Sequence, residues 1–330
     1  MTTILGNGVA ASCCAHLLGA AGMQVRIERA DRSKVPALLI GAATQALIED
    51  VFGRRDVFRA GHPVAKKVVA WGDRAEVVEV PHSGVVISEA DLSERLRAPV
   101  MDGAANAHDW TIRTAPSAGE RCFGSRMATA SQVRLRESSF NDTCWIESVE
   151  SGWLFLIPDG STSWLLSVGA PAEDLLGRSR MVAAQIESDA SDDAGTATFP
   201  AYPRISEALC SAGCGAGWLA CGSAAMAFDP ICGDGAGNAV REAILASAVI
   251  RATDRGEDVE ALLAHYRARL ISGFLKHLAL CRQFYAACSG EWWASELKLL
   301  DEGIAWCREQ LADAPPFRYR LAGFELKIVS

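Results

Sequence analysis

The chain opens on short apolar runs broken by glycine. Thr2-Thr3-Ile4-Leu5 reads as a strand that runs into Gly6-Asn7-Gly8-Val9-Ala10-Ala11, then an alanine-rich helix over residues 12–21, then a second strand, Gln24-Val25-Arg26-Ile27-Glu28. Strand, helix and strand within about thirty residues make a compact βαβ unit. Valine-rich, partly alternating runs over residues 65–72 and 75–88 predict antiparallel strands. Residues 89–96, with Leu92 and Leu96 on one face, predict a helix. The runs 144–148 and 153–157 flank Glu150-Ser151-Gly152, the pattern of a β-hairpin. Helical patterning covers 172–186, 240–252 and nearly all of 258–311, with a break at Ser289-Gly290, and a strand-like tail runs from Gly323 to Val329.

Composition narrows the class. Half of the 330 residues are hydrophobic and 22% are charged, so the chain can fill a core and is not a disordered polymer. The 32 Lys and Arg face 40 Asp and Glu, a net charge of −8 that offers no bulk attraction to nucleic acid. Eleven cysteines include the adjacent Cys13-Cys14 and an isolated Cys210-x3-Cys214, without paired metal-type spacing. They read as reduced thiols of a cytoplasmic protein that holds no metal. Residues 1–25 are apolar but have no Lys or Arg ahead of the apolar part, unlike a signal peptide. Residues 208–228 are long enough to cross a bilayer, yet Gly213, Gly215, Gly217 and Gly222 dilute them, and a buried strand with a tight loop fits better. No membrane partner is expected.

The first glycine cluster carries chemistry. In Gly6-x-Gly8-x-x-Ala11, Gly6 makes the tight turn, Gly8 lets the backbone approach a pyrophosphate, and small Ala11 lets helix and strand pack closely. Glu28 ends the next strand, placed to bind a ribose hydroxyl, with Arg29 beside it. This fingerprint predicts a dinucleotide site but does not separate NAD from FAD. A second segment bears on that choice. Gly222-Ser223-Ala224-Ala225 is followed by Asp229-Pro230 and then Gly233-Asp234-Gly235-Ala236-Gly237 at the head of a long helix. A helix amino terminus with free N–H groups suits an electron-rich group such as the pyrimidine edge of a reduced isoalloxazine.

This second segment resembles the second FAD motif of the p-hydroxybenzoate hydroxylase-like flavoproteins, which include flavin-dependent monooxygenases and halogenases. Gly152-Trp153-Leu154-Phe155-Leu156-Ile157-Pro158 is similar to the halogenase-type Gly-Trp-x-Trp-x-Ile-Pro signature, with Phe155 for the second tryptophan. Ser88-Glu89-Ala90-Asp91-Leu92 resembles the turn before a helix that carries a flavin-contacting arginine, which points to Arg95. Gly124-Ser125-Arg126 resembles the family's Gly-Arg pair, and Tyr285 with Trp292-Trp293 the aromatic carboxy-terminal helices. The resemblance implies an α/β fold. A Rossmann-type FAD-binding domain would take residues 1–64, 97–130 and 205–257, a β-rich substrate domain 65–96 and 131–204, and a helical carboxy-terminal segment 258–330. It implies FAD held by Gly6, Gly8, Ala11, Glu28, Arg29, Arg95, Gly222, Ser223, Asp229, Pro230, Gly233 and Gly235.

The activity it implies is that of an FAD-dependent monooxygenase, working through a flavin C4a-hydroperoxide with O2 and an external reductant. Its substrate would be an aromatic small molecule or a Trp or Tyr side chain of a peptide or protein, as in tryptophylquinone maturation. Two departures stand out. Ser223 replaces an aspartate that would bond the ribityl chain, and the chain is shorter than typical halogenases. Lys66 and Lys67 lie too close to Trp71 to match the halogenating lysine and read as a solvated pair. Six histidines form no cluster, with no Ser-His-Asp order or HExxH, so no catalytic residue is assigned. His16 reads as a packing residue. Cys221 and Cys232 flank the second motif but form no Cys-x-x-Cys, which argues against a redox disulfide with the flavin. The other readings are a flavin halogenase, a flavin-binding redox sensor or partner subunit without turnover, and an NAD-dependent dehydrogenase that uses only the first fingerprint.

Overall fold

Thr2–Leu5 lies between Val25–Glu28 and Trp110–Arg113, and Trp218–Ala220 completes a four-stranded sheet whose three pairings are all parallel. Parallel neighbours need long crossovers. The first is the helix that the glycine fingerprint opens, and the last two strands come from segments far along the chain. The computed structural model describes residues 1–30, 34–74, 76–97, 109–116, 119–137, 140–160, 162–187, 196–209, 217–315 and 318–329. His108, Cys210, Gly213, Cys214 and Gly215 lie outside them, and with them the Cys210-x3-Cys214 spacing.

Among the described residues eight α-helices run in chain order: α1 (Val9–Ala20), α2 (Ala42–Phe52), α3 (Glu89–Arg95), α4 (Ala172–Arg178), α5 (Val182–Gln185), α6 (Gly235–Asp254), α7 (Val259–Tyr285) and α8 (Glu291–Ala312). α1 and α6 pack on each other through small residues. Ala10, Cys13, Cys14, Ala243 and Ala246 are all buried, and the Cys14 thiol reaches the Ala243 carbonyl at 3.8 Å. Side chains this small let two helices approach closely and bring both their amino termini to one side of the parallel sheet.

The second sheet has eight strands in the order Ala197–Pro200, Met127–Val133, Thr162–Gly169, Gly152–Asp159, Thr143–Val149, His62–Ala70, Val77–Ile87 and Leu38–Gly41. Its pairings are antiparallel except that of His62–Ala70 with Thr143–Val149. The hairpin expected around Gly152 is present, with Gly152 opposite Val149. Two strands of this sheet, Leu38–Gly41 and most of Met127–Val133, come from segments assigned by sequence to the nucleotide-binding part.

Two sequence expectations change. The helix expected over 172–186 is broken into α4 and α5, because the buried Glu147 carboxylate accepts N–H groups of Arg180, Met181 and Val182 and the Ser179 hydroxyl, capping a new helix start. The strand expected over 323–329 is one arm of a hairpin, Tyr319–Ala322 with Glu325–Ile328.

A buried ionic cluster joins the large sheet to the carboxy-terminal helices. Arg126, fully inaccessible, donates through Nε and Nη2 to Asp229 Oδ2 at 2.9 and 2.6 Å and through Nη1 to Glu296 Oε2. The Tyr285 hydroxyl donates to the same Asp229 oxygen at 2.9 Å, and the guanidinium sits 4.7 Å over the Tyr285 ring. Glu296 Oε1 accepts the Ser125 hydroxyl at 2.7 Å. Burial works against the charge on Arg126, yet the two carboxylates outweigh it and hold the guanidinium above its ordinary value. Removing one partner of a buried ion pair costs about 3–5 kcal/mol, because it strands an uncompensated charge. Glu296→Ala is therefore expected to lower the unfolding free energy by about that amount, read from denaturant midpoints. A loss below about 1 kcal/mol would mean that Asp229 alone satisfies Arg126.

Candidate functional site

Three adjoining cavities form a groove that begins at the carboxyl ends of the parallel strands. The first, about 660 Å³, is lined by Gly6, Asn7, Gly8, Ala11, Arg29, Lys34 and Arg97. A second, about 270 Å³, shares Asn7 and adds Ala10, Glu89, Gly222, Ser223 and Glu242. The third, about 230 Å³, shares Phe228 and Gly235 with the second and is walled by Phe155, Ile157, Trp164, Leu166 and Phe199 of the large sheet. Two motifs separated by some two hundred residues of sequence therefore line adjoining cavities.

The local geometry explains why. Gly6 has φ +131°, and a Cβ there would collide with the Thr114 hydroxyl and stand 2.9 Å from the Ala115 nitrogen, so the turn passes directly against the end of Trp110–Arg113. Gly8, at φ 91° and ψ −169°, is the N-cap of α1 in a conformation that only glycine adopts without strain. No side chain caps α1 or α6, and neither has an acid in its first turn. Both ends of the groove thus offer unsatisfied N–H groups and the positive end of a helix dipole to an anion or an electron-rich ring.

Most residues singled out by sequence meet here. Gly6, Gly8, Ala11 and Arg29 line the first cavity, Gly222 and Ser223 the second, and Asp229, Pro230, Gly233 and Gly235 the third. Glu28 and Arg95 are not among the lining residues. Glu28 closes the turn through its backbone carbonyl, which accepts the Gly6 N–H at 2.8 Å, while its carboxylate pairs with Arg26 at 3.2 Å. The arginine at the cavity is Arg97, just past the end of α3 and two positions beyond Arg95. The Asp229 carboxylate is fully buried, spent on Arg126, Tyr285 and, at 2.8 Å, the Ile231 N–H. Its part is to shape the turn that presents Pro230 and Gly233.

Residues outside the groove sort themselves equally clearly. Lys66 pairs with Glu79 at 3.0 Å on the sheet, and neither Lys66 nor Lys67 lines these cavities. Trp71 packs edge-on against Trp153, Phe284 and Trp293. Trp153, from the Gly-Trp signature, donates its indole N–H to the Tyr285 hydroxyl at 3.3 Å, so it extends the buried cluster. His16 packs on Phe52, ring centres 4.6 Å apart. Cys221 does not face Cys232. It lies in a fully buried thiol group with Cys14, whereas the Cys232 sulfur is 3.6 Å from that of Cys281.

Glu242 is a groove residue that the motif reading passed over. It interrupts the apolar face of α6, is 4% exposed, and accepts the Gly222 N–H at 2.7 Å through Oε2. Its Oε1 has no hydrogen-bond partner. Burial pushes its carboxyl well above the ordinary value near 4.5, overriding the Gly222 N–H, so the fold favours its protonated form. The signal in the sequence was one acid in the run Ala239 to Ile250, where every other residue but Arg241 is apolar or small.

No protein-family model and no curated protein matches the sequence. Solved structures do match. CmlS, a flavin-dependent halogenase, superposes with a TM-score of 0.74 at 16% identity, covering 95% of this chain and 71% of that one. The peptidyl tryptophan dihydroxylase QhpG, essential for tryptophylquinone cofactor biogenesis, gives 0.67 at 16% identity, covering 99% and 86%. HpxO of Klebsiella pneumoniae, complexed with FAD and uric acid, gives 0.59 at 15% identity, covering 95% and 93%. The chain has the fold of the FAD-dependent halogenases and monooxygenases. Within that fold its eight-stranded sheet lies over the second glycine motif and closes the third cavity with aromatic side chains.

The state of Glu242 has a measurable signature. A buried acid whose pKa is raised binds a proton more tightly folded than unfolded, so its contribution to stability is complete below about pH 4.5 and falls by about 1.4 kcal/mol per pH unit above that, until its folded pKa is passed. Glu242→Gln, which keeps the acceptor for Gly222 and does not titrate, is expected to flatten this fall in denaturation curves taken between pH 4.5 and 7. Glu242→Ala, which orphans the Gly222 N–H, is expected to cost about 1–3 kcal/mol throughout.

Proposed function

We propose that the chain is an FAD-dependent monooxygenase acting on an aromatic ring, presented either as a small molecule or as a tryptophan or tyrosine side chain of a peptide. The observation that carries this reading is the groove itself: a glycine-lined phosphate cradle at one end, an apolar aromatic chamber at the other, and an uncapped helix amino terminus at each. The residues fit the cofactor. Gly6, Gly8, Ala11 and the α1 amino terminus suit its pyrophosphate, and Arg29 adds positive charge beside them. Ser223 and the unpartnered Oε1 of Glu242 line the space between the two glycine motifs, which suits a polyhydroxylated ribityl chain. The α6 amino terminus, reached over Gly233 and Gly235, suits the pyrimidine edge of the isoalloxazine. A hydroxylated chain in the middle cavity would give Glu242 the hydrogen bond it lacks.

Bound flavin supplies the redox chemistry and the activation of O2. The chain's own part follows from the third cavity. Its one ionisable lining residue among those described is Asp229, whose carboxylate is already committed to Arg126 and Tyr285. This chamber therefore offers no free acid or base. Phe155, Ile157, Trp164, Phe199 and Phe228 exclude water and orient a flat apolar ring, which protects a reactive oxidant and places the target beside it. The likeness to QhpG, whose name specifies peptidyl tryptophan, supports the peptide form of the substrate. The placement of Lys66 and Lys67 away from the groove weighs against halogenation, so chloride and bromide are expected to leave the product unchanged.

The purified protein is expected to carry flavin absorption bands or to reconstitute with FAD and not FMN. Gly8→Val, whose side chain would occupy the phosphate cradle at a backbone angle only glycine tolerates, is expected to abolish binding. Ser223→Asp restores a charge-assisted acceptor and is expected to tighten FAD by on the order of 1 kcal/mol, about fivefold, in a titration of apoprotein. Unchanged or weaker binding would place the ribityl chain away from Ser223. Oxygen uptake coupled to an aromatic product separates a monooxygenase from a flavin-binding module without turnover.

A further inference from the structure

His277 and Cys281 stand one helical turn apart on α7, and Cys232 ends the 3-10 turn Pro230–Cys232 that faces them. The sulfurs of Cys232 and Cys281 are 3.6 Å apart, the Cys281 sulfur is 3.3 Å from His277 Nε2, and one ligand-type atom of each of the three residues lies within 4.8 Å of the others. Bonded sulfurs stand about 2.05 Å apart, so a rotation of one or both side chains that closes the gap by about 1.5 Å would join them. The two thiols differ in access. Cys232 is partly exposed, whereas Cys281 is fully buried behind it.

We propose that Cys232 and Cys281 are a peroxide-responsive modification site, in which Cys232 is oxidised first and Cys281 resolves it to a reversible disulfide. The Cys232 thiolate attacks hydrogen peroxide, breaks the O–O bond and becomes a sulfenic acid while hydroxide leaves. The Cys281 thiol then attacks the sulfenic sulfur, its proton leaving with the displaced hydroxyl as one water, and the proton given up when Cys232 ionised neutralises the hydroxide as the second. Overall the two thiols lose two protons and two electrons, and one peroxide becomes two waters. An external dithiol reverses the bond by thiol–disulfide exchange.

The surroundings support each role. Hydrogen bonding from Cys281 outweighs burial and brings the Cys232 thiol down to about 6, so it is largely thiolate at neutral pH. Burial holds Cys281 well above its ordinary value, as suits a resolving thiol that keeps its proton until the attack. The same three side chains would be the core of a metal site, but His277 Nε2 already accepts the Asp229 N–H at 2.8 Å and so lacks the lone pair that a metal would take. A disulfide here would tie the turn that precedes Gly233 to α7, and hence constrain one wall of the third cavity. Neither the geometry nor the test depends on the cofactor assignment.

The experiment is peptide mapping by mass spectrometry of the reduced full-length chain, before and after a few equivalents of hydrogen peroxide. Expected is a peptide pair joined through Cys232 and Cys281, lighter by two hydrogens and separated again by dithiothreitol. In Cys281→Ser, Cys232 is expected to accumulate as a sulfenic acid that dimedone traps, and in Cys232→Ser, Cys281 is expected to stay reduced. The wild-type map stands alone if either variant misfolds. Direct passage of wild-type Cys232 to sulfinic acid with no linked pair overturns the proposal. So does equal oxidation of Cys281 in Cys232→Ser, or the binding of one zinc ion per chain that shields both thiols from peroxide.

Discussion

The guanidinium of Arg126 has no contact with solvent, and its charge is neutralised only where three distant parts of the chain converge on it. Asp229 comes from the turn beside the second glycine motif, Glu296 from α8, and Tyr285, which shares Asp229, from the end of α7. A desolvated cation costs several kcal/mol unless such partners are in place, so the large sheet, the motif loop and the carboxy-terminal helices must settle together. The aromatic cluster of Trp71, Trp153, Tyr285, Trp292 and Trp293 joins this centre through Tyr285, whose ring lies under the guanidinium and whose hydroxyl also accepts the Trp153 indole N–H.

The groove inherits its shape from that cluster. Asp229 holds Arg126 with one oxygen and caps the Ile231 N–H with the other, so the carboxylate that might have faced a ligand instead fixes the loop leading to Gly233 and Gly235. Glu242 does a similar job about two turns into α6, anchoring Gly222 through its buried carboxyl. Two buried acids thus set the positions of two glycine-rich loops, and the polar work inside the groove is left largely to backbone N–H groups and helix ends. In the proposed function, a site built this way binds and orients, and leaves the redox chemistry to the flavin.

Burial also sorts the cysteines. Cys13 and Cys281 are pushed well above their ordinary value and Cys144 up to about 12, because an apolar interior opposes the thiolate, while Cys221 is raised first by its hydrogen bond with Cys14 and then by burial. Cys232, at the edge of the groove with a thiol and an imidazole for company, goes the other way. Composition alone presents these residues as equivalent, and only their surroundings separate inert packing groups from a reactive one.

What the sequence determined by itself is what is encoded within a few adjacent residues. The βαβ opening, the hairpin at Gly152, the helix break at Ser289-Gly290 and both glycine motifs were legible because turn glycines and hydrophobic periodicity act locally. Strand pairing in the large sheet, where Leu38–Gly41 joins Val77–Ile87, was not legible, since nothing in a short strand names its partner. Nor were the exchange of Arg95 for Arg97 at the groove, the division of residues 172–186 by Glu147, or the pairing of Cys232 with Cys281 across 49 positions. Arg126 and Glu296 are 170 residues apart, and each read alone is an ordinary charged side chain. The tertiary structure decided their role because a charge becomes a constraint only when the fold takes it out of water, and which charges are taken out depends on the packing of the whole chain.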